Sequence, residues 1–154
     1  MHFLPFVIAI GFLLASYAFY VEFKFNEAQR LGLQYRALCD IGMFSCTKVF
    51  SSEFGHLTQF FGLPPISNAA IGMAFYLFEM LIERRTTLLL LTSGASCVGS
   101  LGLFYILTVI LNDFCIVCFS IYVVNFTTFF TCLRRYRRTA AQTKHATGGA
   151  TKRK

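Results

Sequence analysis

Asp113-Phe114-Cys115-Ile116-Val117-Cys118 opens an apolar run that continues to Leu133 and stops at Arg134-Arg135-Tyr136-Arg137-Arg138. A run of about twenty apolar residues closed by a basic cluster has the length and flank of a helix crossing ~30 Å of hydrocarbon. The Cys-x-x-Cys at its mouth puts both sulfurs on one face, one turn apart, where they can close to a disulfide or open to a dithiol. Asn112 or Asp113 is a good N-cap, which places Cys115 in the first turn. There the helix dipole and free amides favour a thiolate. Beyond the pair, Tyr122 and Asn125 fall on the same stripe as Cys115 and Cys118. A reversible two-electron couple at a bilayer surface points to redox chemistry with a lipid-soluble partner.

The rest of the chain agrees with a membrane setting. Of its 154 residues 56% are hydrophobic and only 14% charged, against nearer a quarter charged in a soluble domain. Nineteen Phe and no Trp give an aromatic interior without the usual Trp belt. The net charge of +7 is not a nucleic-acid signature, because ten of fourteen Lys and Arg lie at Arg84-Arg85 or from Arg134 onward, beside apolar segments. Those are topology charges.

Working outward, four spans are expected, at about 3–21, 66–82, 86–111 and 114–133. The first is longer than a signal-peptide core and has no basic flank before it, so a retained helix is expected rather than a cleaved leader. The second follows Pro64-Pro65 and ends at Glu83-Arg84-Arg85. The third carries Gly94, Ser96, Gly99, Ser100 and Gly102, small residues that let helices approach closely. Four spans put both termini on the side of the arginine clusters, which the positive-inside rule makes cytosolic. The fold expected is therefore all-α: a four-transmembrane-helix bundle over residues 1–138, with a lumenal cap loop at 24–65 between helices 1 and 2. Residues 139–154 read as a basic, disordered cytosolic tail.

Of the six cysteines, Cys97 and Cys132 sit inside apolar helices and read as packing residues. Cys39, Cys46, Cys115 and Cys118 share the side opposite the arginines, an even set suited to an oxidising compartment. Cys39 and Cys46 can close a small loop, or act as a relay in which Cys46 attacks a Cys115–Cys118 disulfide and later re-pairs with Cys39. A four-cysteine zinc site is the weaker alternative, since the spacing is unusual for one. Asn68, just inside the second span, needs a partner in hydrocarbon; it either caps its helix or donates to a carbonyl oxygen of a bound ligand. With Tyr122 it offers two polar donors among apolar walls, an arrangement that suits a quinone.

Taken together, Cys39…Cys46, Asn68, Cys115-Ile116-Val117-Cys118 and Tyr122 on four spans resemble the vitamin K epoxide reductase family. Tyr35-Arg36-Ala37-Leu38-Cys39-Asp40 and Val49-Phe50-Ser51-Ser52 add to that resemblance. It implies a multi-pass enzyme of the endoplasmic reticulum membrane with a lumenal active site. The implied reaction is thiol-dependent reduction of vitamin K 2,3-epoxide to the quinone and of the quinone to the hydroquinone, in support of glutamate γ-carboxylation. By the family pattern, Cys118 attacks the substrate, Cys115 resolves the adduct, Cys46 re-reduces that pair, and Cys39 takes electrons from a lumenal thioredoxin-like partner. Asn68 and Tyr122 match the residues that hold the naphthoquinone oxygens, with Phe50, Phe54 and Phe75 lining the substrate site. No bound cofactor and no metal are implied; vitamin K is the substrate, a dithiol the reductant, and coumarin anticoagulants are inhibitors. Phe54 stands where the family often has Trp, and Ile71 where it has Phe. Two other readings are a quinone-linked oxidase running the same parts in reverse and a non-catalytic tetraspan scaffold with structural disulfides.

Overall fold

In the computed structural model the chain is all-helical, with no strand among the described residues. These are residues 3–40, 45–52, 62, 64 and 66–151, described by backbone alone at 50, 51 and 143–151. Five α-helices follow one another: α1 Phe3–Arg30, α2 Cys46–Ser51, α3 Asn68–Ile82, α4 Thr86–Tyr105 and α5 Ile116–Thr151. A π-helical segment, Ile106–Ile110, extends α4. Helix α1 packs against α3 and α5, and α4 packs against α5 and, more lightly, α3.

Among the described residues three helical stretches are long and apolar enough to cross a membrane: Phe3–Arg30, Thr86–Ile110 and Ile116–Gln142. Three of the four expected spans are thus found. The second, α3, is apolar but has only 15 residues, about 22 Å at 1.5 Å per residue. Large apolar side chains such as Phe6, Leu13, Leu91, Val98 and Phe119 point outward, as lipid contact requires.

The boundaries differ from the expected ones for local reasons. Helix α1 runs on to Arg30, so Lys24–Arg30 belongs to a helix and not to the connecting loop. The residues Glu27-Ala28-Gln29-Arg30 are good helix formers, and Lys24 pairs with Glu27 at 2.7 Å one turn away. The backbone of α5 likewise continues to Thr151, through a stretch expected to be a disordered tail. Ala140-Ala141-Gln142 extends an existing helix, which needs no new nucleus. At the other end α5 begins at Ile116, with Cys115 in the capping position and neither Asn112 nor Asp113 there. Asn112 instead takes φ 51°, the left-handed turn that lets the chain reverse between the π-helical segment and α5.

The interior divides into two apolar clusters. One, at the cysteine end, contains Ala18, Val21, Ala37, Val49, Leu107 and Val117 with Cys39, Cys46 and Cys115. The other, toward the arginine end, contains Ile8, Ala15, Tyr76, Leu89, Val124 and Cys132. Gly11 of α1 belongs to the seam between α1 and α3: a Cβ there would run into the Tyr76 ring. Between the clusters lies a cavity.

Candidate functional site

The cysteine end is assembled by a short turn. Asp40 accepts hydrogen bonds from Ala37 N (3.3 Å), Thr47 N (3.0 Å) and the Thr47 hydroxyl. Ala37 N also reaches Thr47 Oγ1 at 3.1 Å, and Arg36 Nη2 donates to the Asp40 carbonyl at 2.9 Å. These bonds draw the chain on either side of the two cysteines together, with Cys39 and Cys46 joined as a disulfide (Cα–Cα 5.9 Å). Burial pushes the Asp40 carboxyl up, but the bonds from Thr47 and Ala37 outweigh it and hold the group below the ordinary carboxylate range. The Asp40 oxygens and the two sulfurs all lie within 4.8 Å of one another, with the sulfurs bonded together and the carboxylate already engaged.

This turn is latched to the mouth of α5. Ser45 N donates to the Phe114 carbonyl at 2.9 Å, and Lys48 lies 3.6 Å from Asp113. The exposed ion pair adds little by itself, so the backbone bond is the firmer tie. As a result Cys46 Sγ sits 3.6 Å from Cys115 Sγ, both side chains buried. Cys115 caps its own helix: its sulfur accepts the Cys118 amide at 3.2 Å, and its carbonyl accepts Phe119 N at 3.0 Å. A sulfur in that position faces the positive end of the helix, where negative charge is favoured.

Cys118 lies on the other side of this junction, in the cavity wall. The cavity has a volume of about 550 Å³ and is bounded by all five helices and the π-helical segment. Its surface is mostly apolar, from Ala15, Val49, Ile71, Phe75, Leu103 and Leu107 among others. A few polar groups interrupt it. Tyr122, Asn68 and Glu22 contribute to the wall, and Asn125, Tyr76 and Ser100 form a bonded group within it. Tyr76 donates its hydroxyl to Asn125 Oδ1 at 2.7 Å, and Asn125 Nδ2 donates to Ser100 Oγ at 2.8 Å, tying α3, α5 and α4 together. Phe104 meets Tyr122 edge to face at 6.2 Å between ring centres.

Of the residues expected at the substrate, the structure brings Cys118, Asn68, Tyr122 and Phe75 to one cavity. Cys115, expected on the same stripe, meets the Cys118 side chain and also Cys46, but it stands just before the helix as its cap and does not line the cavity. Phe54 lies outside the described residues, and Phe50 is described by its backbone only. Asn68 is the first residue of α3 and not its cap. The cap is Ser67, whose Oγ accepts Ala69 N at 3.1 Å and Ala70 N at 3.4 Å.

Glu22 and Tyr76 are polar wall residues that the sequence did not single out, and Ser100, expected only as a packing residue, joins them. Glu22 carried a signal, a carboxylate inside an otherwise apolar helix. Tyr76 carried a weaker one, two turns beyond Asn68. The small residues of α4 divide in their use. Gly94 faces the Phe129 ring, where an added Cβ would lie at 3.5 Å, so helices do meet there. Ala95, Ser96 and Gly99 instead open onto the cavity, where their size leaves room.

Comparison with known proteins gives a consistent result. The model of the vitamin K epoxide reductase family matches residues 3–133. The chain is 38% identical over 128 residues to vitamin K epoxide reductase complex subunit 1 of Rattus norvegicus, an alignment spanning 75% of this chain and 77% of the rat protein. The same subunit of Mus musculus is 37% identical over 128 residues with equal coverage.

Proposed function

The chain belongs to the vitamin K epoxide reductase family, and we propose that it is a membrane oxidoreductase reducing vitamin K 2,3-epoxide to the quinone and the quinone to the hydroquinone. The observation that carries this reading is the 3.6 Å contact between Cys46, already paired with Cys39, and Cys115, one helical turn from the cavity-lining Cys118. It supports an unbroken thiol path from a loop to an apolar cavity.

In the proposed cycle the Cys118 thiolate attacks an epoxide carbon and the C–O bond opens. The oxygen, stabilised by donors from Asn68 and Tyr122, takes up a proton. The Cys115 thiolate then attacks the Cys118 sulfur. The S–S bond forms, the C–S bond breaks, and its electron pair expels the oxygen as hydroxide, which takes up a second proton to become water, leaving the quinone. Two electrons have moved from the dithiol to the substrate. In quinone reduction a second pair of electrons, from the dithiol once it has been reduced again, gives the hydroquinone with two protons. Cys46 next attacks the Cys115–Cys118 disulfide at Cys115 and is released when Cys39 closes on it, so the Cys39–Cys46 disulfide marks the step after electron delivery. A lumenal thioredoxin-like protein reduces it again.

The proposed setting is the endoplasmic reticulum membrane, with α3 completing a four-helix transmembrane unit over residues 1–138. The cysteine end, including the cap, faces the lumen, and both termini and the basic extension from 139 lie in the cytosol. Coumarins would occupy the same cavity. Vitamin K epoxide turnover in microsomes driven by dithiothreitol, with and without a coumarin, tests the reading. Coumarin-sensitive formation of quinone and hydroquinone is expected. Absence of turnover in folded protein, or quinone-driven thiol oxidation alone, would overturn it in favour of an oxidase.

A further inference from the structure

Glu22 is 5% exposed, yet it sits in an α1 helix whose neighbours are apolar and forms part of the cavity wall. Its carboxyl accepts a hydrogen bond from the Ser67 hydroxyl, across 45 residues of sequence. Ser67 in turn uses the same oxygen to accept the amides of Ala69 and Ala70, closing the N-terminus of α3. The helix therefore starts where Glu22 holds its cap, and the first residue it presents is Asn68, also in the cavity wall. An exposed helix cap needs only Ser67 and solvent. Tying it to a carboxyl taken from a neighbouring membrane helix costs desolvation, which a merely adequate cap does not require.

We propose that Glu22 is a positioning residue for the reduction: through Ser67 it fixes the N-terminus of α3 and thereby the angle at which Asn68 meets the substrate oxygen. The inference rests on the reading of Asn68 as an oxygen-holding donor. Glu22 lines the cavity, but the role argued here runs through its bond with Ser67. What it supplies is an acceptor oxygen, not a charge, so a carboxamide in the same place serves equally. A donor aimed at an oxygen that gains charge during the reaction acts on the rate more than on binding of an apolar ligand.

The test is vitamin K epoxide turnover with dithiothreitol in microsomes bearing full-length protein, with folding checked by size exclusion. Glu22→Ala is expected to lower kcat about tenfold with KM changed less than about threefold, as for a displaced donor. Glu22→Gln is expected to recover at least half of the wild-type kcat. In an Asn68→Ala background, Glu22→Ala is expected to cause no further loss, because the group it positions is gone. Wild-type kcat in Glu22→Ala, equal loss in Glu22→Gln, or additive loss in the double variant would each overturn the proposal. If Asn68→Ala alone is fully active, the reading of Asn68 has failed instead, and the two failures are distinguishable.

Discussion

The two sides of Cys118 are built on opposite principles. On the Cys115 side, sulfurs and turn are packed into a dry cluster: Cys46 is fully buried, Cys115 is 2% exposed, and backbone bonds from Ser45 and Thr47 fix the geometry. On the other side is about 550 Å³ of mostly apolar space with a few polar groups held in pairs across helices. Thiol exchange needs an in-line approach of sulfurs and tolerates little play, so that side is latched. An apolar ring compound needs room and only a few oriented donors, so the other side is left open. Cys118 belongs to both regions, and in the proposed cycle it is the sulfur that joins them.

That contrast can be broken from either side. The largest effect is expected from Cys118→Ala, which should reduce dithiothreitol-driven epoxide turnover to the uncatalysed background in a microsomal product assay; retained turnover would remove Cys118 from the chemistry. On the open side, Tyr122→Phe deletes one donor while keeping the ring against Phe104. It should lower kcat by about a hundredfold in the same assay, within the usual range for losing one such donor. On the latched side, Cys39→Ser or Cys46→Ser should leave dithiothreitol-driven turnover within about twofold while sharply weakening turnover with a thioredoxin-like reductant. Equal losses with both reductants would mean that the loop pair is structural.

Two smaller effects sharpen the comparison. Gly11→Ala drives a methyl into the Tyr76 ring at the α1–α3 seam and should destabilise the fold by about 1–3 kcal/mol, read as a lower thermal midpoint in detergent. The smallest effect concerns Asp40, whose folded carboxyl lies below its unfolded value of about 3.9. Its contribution is therefore fully present above that value and lost as pH falls through the lower folded one. Asp40→Asn should lower stability slightly at neutral pH, by less than about 1 kcal/mol, with the gap to wild type closing below about pH 4 so that the acid limb of unfolding is flatter.

Periodicity made part of this site legible. Cys118, Tyr122 and Asn125 recur at helical spacing, and that alone puts them on one face toward a common space. The same rule brought Cys115 next to Cys118 but did not show that it caps the helix and stays out of the cavity wall, because Cys115 stands at the helix edge. Glu22 and Ser67 are 45 residues apart, so their contact is a property of how α1 and α3 pack and leaves no local pattern. The same is true of Tyr76, Asn125 and Ser100. Helix ends were the least readable feature for a related reason. Hydropathy marks where a membrane segment ends, whereas propensity carries the helix farther, as at Lys24–Arg30 and beyond Arg138.

The most direct test of the account is to capture the sulfur hand-off itself. In a Cys39→Ser/Cys118→Ser double variant, only Cys46 and Cys115 of the four remain, and each has lost its alternative partner. Mass spectrometry of non-reduced peptides after mild oxidation should then find Cys46 linked to Cys115. Recovery of both cysteines as separately alkylated thiols in folded protein would contradict the path from loop to cavity.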